Sequence, residues 1–458
     1  MRLINKGIIC SVLFVSTLIS ACGGGSGSSN SGGGGMPTLP IGSAIVDVNG
    51  DGKNDFIVSN GQSADGYLSP LVYINNGSGS SFTLKKGAIP TQYHGANSAA
   101  VDIKSGDFNK DGKMDLLVIT VDGSYQSSQI QLYLGNGDGS FTDASSNISN
   151  GLWPTTLPCT NTGANAWPSY LRIADIDNDG NLDFVVAMGG AGTCGGVIYR
   201  NDGTAKFSPA NITITDGTNT IIATSLVDAN NIRATEVLAG DLNNDGKIDL
   251  FAPTTRVWGT GGLHTAYINT STLGAISFTA VHSTPSPILQ GVLVDINGDG
   301  FLDVVGSLAY SYPNYATLMP VVAFLGDGAG GFTEDNAVFS PQPSVLCARQ
   351  FLTADFNGDG KNDVLITNTG PDFSPFPGER NWLLMNNGAG MLVDNTATGL
   401  DLLSAYTHQA SIGDLNGDGS PDIILNNSFQ SQMSAAKEPR FWLNNGSGVF
   451  TSYNPALN

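Results

Sequence analysis

The chain has 458 residues, 40% of them hydrophobic and 13% charged, with 60 glycines. That composition excludes a disordered polyelectrolyte and suits many short strands joined by turns. The net charge of −20, from 19 basic and 39 acidic residues, speaks against a nucleic-acid partner, which needs a basic face.

The N-terminus reads as an export signal. Arg2 and Lys6 make a positive start, and Gly7 to Ile19 is an apolar run too short to span a bilayer. The run ends in Leu18-Ile19-Ser20-Ala21-Cys22, which resembles the bacterial lipobox. Residues 1–21 are therefore expected to be a lipoprotein leader and Cys22 the lipidated first residue of the mature chain. An ordinary leader with a chance cysteine is the alternative. Residues 22–40 are rich in Gly and Ser and read as a flexible tether. The lipoprotein resemblance implies an outer-membrane anchor, because Gly23 is not the aspartate that retains such proteins at the inner membrane. The expected location is the bacterial cell surface, with the membrane met through the lipid alone.

From residue 41 to 458 one pattern recurs: Asp-x-Asn/Asp-x-Asp-Gly-x-x-Asp, followed by a short apolar run. The first copy has Asp47, Asn49, Asp51 and Asp55; the second Asp107, Asn109, Asp111 and Asp115. The third has Asp175, Asp177, Asp179 and Asp183; the fourth Asp241, Asn243, Asp245 and Asp249. The fifth has Asp295, Asn297, Asp299 and Asp303; the sixth Asp355, Asn357, Asp359 and Asp363. The seventh has Asp414, Asn416, Asp418 and Asp422. Successive copies start about 54–68 residues apart.

A second pattern follows each copy: an apolar strand ending in Asn-Asn-Gly-x-Gly-x-x-Phe or a variant, as at Asn75, Asn76 and Gly77. Asn-Gly favours positive φ and marks a tight turn. Phe82, Phe141, Phe207, Phe278, Phe332 and Phe450 follow it, with Leu392 in the sixth copy. Each repeat thus reads as four strands. Seven such repeats predict an all-β fold, a seven-bladed β-propeller of four-stranded antiparallel blades. A linear β-solenoid is the structural alternative, but its repeats are normally shorter.

The spacing carries a metal argument. In a tight loop the side chains at positions 1, 3 and 5 turn inward together. Glycine at position 6 allows the turn, and position 9 supplies a closing carboxylate. Position 7 offers its backbone carbonyl, here Lys53, Lys113, Asn181, Lys247, Phe301, Lys361 and Ser420. Such an oxygen cage suits a hard cation, and calcium is expected in up to seven loops, as a structural ion. The loops hold 22 of the 39 acids, so most of the acid is gathered rather than spread over the surface.

These residues resemble the FG-GAP or VCBS-type repeat, the unit of the integrin α-subunit head propeller and of many bacterial surface proteins. The resemblance covers nearly all of residues 41–455. The Phe-Gly…Gly-Ala-Pro signature of integrins is absent, which favours the bacterial branch. The resemblance implies calcium loops on one face and ligand contacts on the other. An extracellular protein or glycan is the expected partner.

Other residues bear on that opposite face. Cys159 and Cys194 fall in loops assigned to it and are the preferred disulfide, leaving Cys347 over. Trp153, Trp167, Trp258, Tyr310, Tyr312, Tyr315, Phe373, Phe376 and Phe429 are loop aromatics that either pack or stack on a ligand. Five residues before each motif stand Gly42, Asp102, Tyr170, Glu236, Gln290, Gln350 and Gln409, expected to line a hydrated channel mouth. No nucleophile elbow or phosphate loop is present, and His94, His264, His282 and His408 show no metal spacing. The favoured function is therefore binding or adhesion rather than catalysis. A polysaccharide-acting lyase or hydrolase using His94, His408, Arg349 and Glu236 stays open as the second reading, and a passive envelope scaffold as the third.

Overall fold

The computed structural model describes residues 42–59, 70–90, 99–121, 128–149, 166–190, 196–226, 236–253, 264–283, 286–307, 317–370, 378–400, 404–427 and 440–458. The leader, Cys22, the tether, His94, Cys159 and Cys194 lie outside them, as do all the loop aromatics named above except Trp167, whose side chain is not described.

Seven antiparallel sheets follow one another along the chain. Blade 1 is Ser43–Val46, Asp55–Val58, Leu71–Asn75 and Ser81–Leu84; blade 2 is Ala99–Gly106, Asp115–Val121, Ser128–Gly135 and Phe141–Asp143. Blade 3 is Ala166–Ala174, Asp183–Gly190, Val197–Asn201 and Phe207–Pro209; blade 4 is Leu238–Gly240, Asp249–Ala252, His264–Asn269 and Ile276–Ser283. Blade 5 is Gln290–Val294, Asp303–Ser307, Met319–Gly326 and Phe332–Glu334; blade 6 is Ala348–Ala354, Asp363–Asn368, Trp382–Asn386 and Leu392–Asp394. Blade 7 is Thr407–Gly413, Asp422–Asn427, Arg440–Asn444 and Phe450–Tyr453. The chain is the seven-bladed β-propeller that the repeat predicts.

The second strands explain how the blades stack. They read as continuous apolar runs, such as Leu116-Leu117-Val118-Ile119, and are buried on both faces. Alternate residues therefore enter the two neighbouring interfaces. Leu117 and Ile119 pack with Phe184 and Tyr199 of blade 3, whereas Leu116 and Val118 pack with Ile57 and Val72 of blade 1. Seven apolar clusters result, one between each successive pair of blades, and Phe56, Phe82 and Phe441 form the one that closes blade 7 on blade 1.

A device not visible in the repeat also joins the blades. Chain leaving the outer strand of one blade pairs in parallel with the outer strand of the next. Ile148 bridges Phe207, Ile212–Asp216 pairs with Ile276–Ser283, and Phe339–Ser340 pairs with Leu392–Asp394. At the closure, Ala456–Leu457 pairs with Ser81–Leu84 of blade 1. The hairpin of Ile212–Asp216 and Asn219–Ala223 also accounts for part of the long interval between the third and fourth motifs.

Candidate functional site

Each Asp motif connects the first and second strands of its blade. In loop one Asp47 accepts from Gly50 N and Gly52 N, both at 2.8 Å. Asn49 Oδ1 accepts from Asp51 N, and Asp51 Oδ1 from Lys53 N, each at 3.0 Å. The position-7 amide donates to the position-5 carboxylate in all seven loops. Positions 4 and 6 both adopt left-handed backbone. Position 6 is always glycine; at position 4 Lys110, Asn178 and Asn244 take the strained conformation in three loops.

Position 9 does more than the spacing suggests. All seven of these aspartates are fully buried. One oxygen accepts the position-2 amide of its own loop, and the other accepts an amide at the end of the third strand. For Asp55 the donors are Val48 N at 3.0 Å and Asn75 N at 2.8 Å, and the other six repeat the arrangement. Burial pushes the carboxyls of Asp55, Asp115, Asp303, Asp363 and Asp422 up to about 6 and that of Asp183 up to about 7, against the pull of the two amides. Neighbouring loop carboxylates push the same way, a crowding of charge that a cation relieves.

The donor set fits a hard cation: oxygen only, from three aspartates and an Asn or a fourth Asp, with a backbone carbonyl at hand. In loop three, one carboxylate oxygen from each of Asp175, Asp177 and Asp183 lies within 4.8 Å of the others.

The Asn of the turn is an inter-blade fastener. Asn201 Nδ2 donates to Leu182 O of its own blade and to Phe108 O of blade 2. Asn75, Asn269, Asn386 and Asn444 likewise reach a loop of the preceding blade, at 2.8 Å in each case. Blades 2 and 5 carry Gly135 and Gly326 instead. A Cβ there would lie 2.2 Å from Met114 O or 2.4 Å from Leu302 O, so these strands approach too closely for any side chain.

The opposite face is where first strands begin and second strands end. The residues expected to line a hydrated mouth are mostly buried there: Asp102, Glu236, Gln290 and Gln409 are all under 9% exposed. The structure corrects that expectation, because these side chains bond the inner strands together. Asp102 accepts Leu171 N of blade 3 at 2.7 Å, Glu236 accepts Gly291 N of blade 5 at 2.9 Å, and Gln350 accepts Ala410 N of blade 7 at 2.8 Å. Gln409 donates to Val101 O of blade 2, crossing over Gly42, and Gln290 donates to the Tyr170 hydroxyl of blade 3. Glu236 also pairs with Arg172.

Four inner strands carry a β-bulge just before this ring, at Val101, Ser169, Arg349 and His408. A bulge turns one extra side chain out of register. Two of them bring Arg349 and His408 to neighbouring positions on blades 6 and 7, where Arg349's charge acts on His408 and Tyr170. Burial, with Arg349 adding to it, holds the His408 imidazole well below its ordinary value of 6.5. His408 Nε2 has no hydrogen-bond partner.

Cys347 corrects a second expectation. It is disulfide-bonded rather than left over. The other cysteines all lie outside the described residues. The backbone amides of Leu346 and Cys347 are held by Glu379, whose half-buried carboxyl is pushed up to about 7 by desolvation.

The profile of the FG-GAP-like repeat matches residues 47–118, 107–186, 175–252, 295–366 and 355–425. Together these matches span well over half of the chain. The chain belongs to the FG-GAP-like repeat family. Each match begins at position 1 of one Asp loop and runs past the next, so the family unit is centred on the loops described above. A comparison with curated proteins found no match. Among solved structures, the Trypanosoma rangeli sialidase in complex with sialic acid is similar at a TM-score of 0.36 and 10% identity, over 90% of this chain and 58% of that one. This FG-GAP chain thus spans less than two thirds of the sialidase chain, and a likeness at that level carries no argument about chemistry.

Proposed function

We propose that this FG-GAP propeller is a calcium-stabilised binding module, tethered by a lipid on Cys22 to the bacterial outer membrane, whose ligand meets the face opposite the Asp loops. Calcium would be held by positions 1, 3, 5 and 9 and the position-7 carbonyl, and it would supply charge neutralisation and order in the loops.

One observation carries the choice of face. The second strands of blades 1 to 4 end in Val58, Val121, Gly190 and Ala252, whereas those of blades 5 to 7 end in Ser307, Asn368 and Asn427. Most of the unpartnered buried polar atoms among the described residues lie at the same place: Ser307 Oγ, Thr367 Oγ1, Asn368 Oδ1, His408 Nε2, Asn427 Nδ2 and both ends of the Asn426 amide; the others are Gln129 Oε1, Tyr199 Oη, Gln290 Oε1, Trp382 Nε1 and Trp442 Nε1. Each such atom costs about 1–3 kcal/mol in isolation, so a buried cluster of them beneath one side of this face favours that side for a glycan or protein partner that supplies hydroxyls or amides. Uncharged amides, hydroxyls and a neutral imidazole suit that kind of partner.

His408 favours one other reading. A neutral imidazole with an unpartnered nitrogen is the form from which a histidine accepts a proton, as a polysaccharide lyase or hydrolase requires, and the Arg349 charge makes it a weaker base. One experiment addresses both. The native chain and Asn426→Ala and His408→Ala variants are incubated in calcium buffer with a panel of soluble polysaccharides, and both retention and release of shorter chains are measured. The binding reading expects retention without cleavage, reduced at least tenfold by Asn426→Ala. Cleavage abolished by His408→Ala would replace it with the enzyme reading. Retention unchanged in both variants would remove this face from consideration, and no retention at all would favour the scaffold.

A further inference from the structure

Blade 3 departs from the other six at two positions, and the two departures touch. At position 3 of its loop it has Asp177, where every other loop has Asn. On its third strand, just before the fastening Asn201, it has Arg200. The equivalent residues elsewhere are apolar: Ile74, Leu134, Ile268, Leu325, Met385 and Leu443. Ile74, Ile268 and Met385 fill the space beside the turn glycines Gly139, Gly330 and Gly448 of the following blade. Arg200 instead turns to its own Asp loop.

There the guanidinium forks across two carboxylates. Nε bonds Asp177 Oδ2, and Nη2 bonds Asp179 Oδ2 at 3.0 Å. Asp177 is fully buried and the Asp179 carboxylate is 8% exposed, while Arg200 is 37% exposed. The remaining oxygens accept Asp179 N and Asn181 N. A fork of this kind fixes both carboxylates more firmly than a lysine would, since the guanidinium is planar and its donors are preset. In loops five, six and seven the position-5 Oδ2 accepts the neutral amide of the position-3 Asn.

We infer that Arg200 is the resident cation of the third loop, so that the chain takes six calcium ions and one arginine in place of seven calcium ions. The inference rests on the calcium reading above. One carboxylate oxygen from each of Asp175, Asp177 and Asp183 lies within 4.8 Å of the others, but Asp177 there already carries the Arg200 charge, as does Asp179 at position 5. Displacing it would strand a guanidinium beside a divalent cation. The additional acid, Asp177, is the partner that makes the arginine stable there, because an asparagine could not balance its charge. Loop three would then be ordered at any calcium concentration.

The test is calcium stoichiometry by equilibrium dialysis of the full chain, with bound metal counted by elemental analysis. The native chain is expected to hold six ions. The double substitution Asp177→Asn with Arg200→Leu restores the pattern of the other loops and is expected to hold seven. Hydrogen exchange supplies a second measurement that needs no variant. Adding calcium should slow the amides of the other six loops and leave Asp179, Gly180 and Asn181 unchanged. Seven ions on the native chain, six on the double variant, or calcium-dependent slowing at Gly180 would overturn the role of Arg200 alone. No calcium on either protein would overturn the calcium reading itself.

Discussion

Asp363 shows how much one side chain does in each repeat. It is fully buried, and its two oxygens accept Phe356 N and Asn386 N at 2.9 and 2.8 Å. Asp359, at position 5 of the same loop, is exposed, and its Oδ1 accepts Lys361 N. The two aspartates should therefore respond differently to the same change. Asp363→Asn replaces an acceptor by a donor that faces a donor, and is expected to cost about 1–3 kcal/mol even in chelator. Asp359→Asn keeps an acceptor on its amide and should cost little unless calcium is present. Urea unfolding of both variants in calcium and in chelator checks this, and equal losses in both buffers for both variants would contradict it. The sequence marks both positions as acids of one motif. It does not show that position 9 is also a buried pivot, because burial depends on the third strand, which lies about 20 residues further on.

At the scale of the element, the strand that ends in Asn joins two blades. Asn444 Nδ2 donates to Phe356 O, 88 residues away, and to Pro421 O of its own blade, while its Oδ1 accepts Gly446 N. Asn444→Ala should cost about 0.5–1.5 kcal/mol by removing one of the two donors to the Phe356 carbonyl, which keeps the Gly448 amide, and this is measurable as a shift in the urea midpoint. A variant as stable as the native chain would show the fastener to be dispensable. The Asn-Gly turn is legible in the sequence because its cause is local: glycine and asparagine tolerate positive φ. The fastening is not, because its acceptor belongs to the previous repeat. The β-bulges at Arg349 and His408 are hidden for a related reason. The alternation of an inner strand predicts which residues face the axis, but a bulge shifts that register by one and turns an additional polar side chain inward. The channel expectation failed there: side chains assumed to meet water bond the next strand instead.

For the whole molecule, the blade number follows directly from seven intact motifs, and the closed ring follows from burial. An open stack would leave Phe56 and Phe441 exposed at its two ends, and each buried phenylalanine contributes roughly 1.5–3 kcal/mol. The parallel strap at Ala456–Leu457 shows no apolar alternation and so gave no signal, although the same strap recurs after blades 2, 3 and 5. The calcium ions proposed for the loops would act on this ring through the position-9 aspartates, which link each loop to its third strand and, in the five blades with the turn Asn, thence to the preceding blade. The most direct measurement is a thermal melt of the chain in millimolar calcium and in excess EGTA. With sites of order 0.1–1 mM affinity, several ions together should raise the melting temperature by roughly 10 °C. A melting temperature that does not change when calcium is removed would contradict the account, and the Asp loops would then be turns held by their own hydrogen bonds.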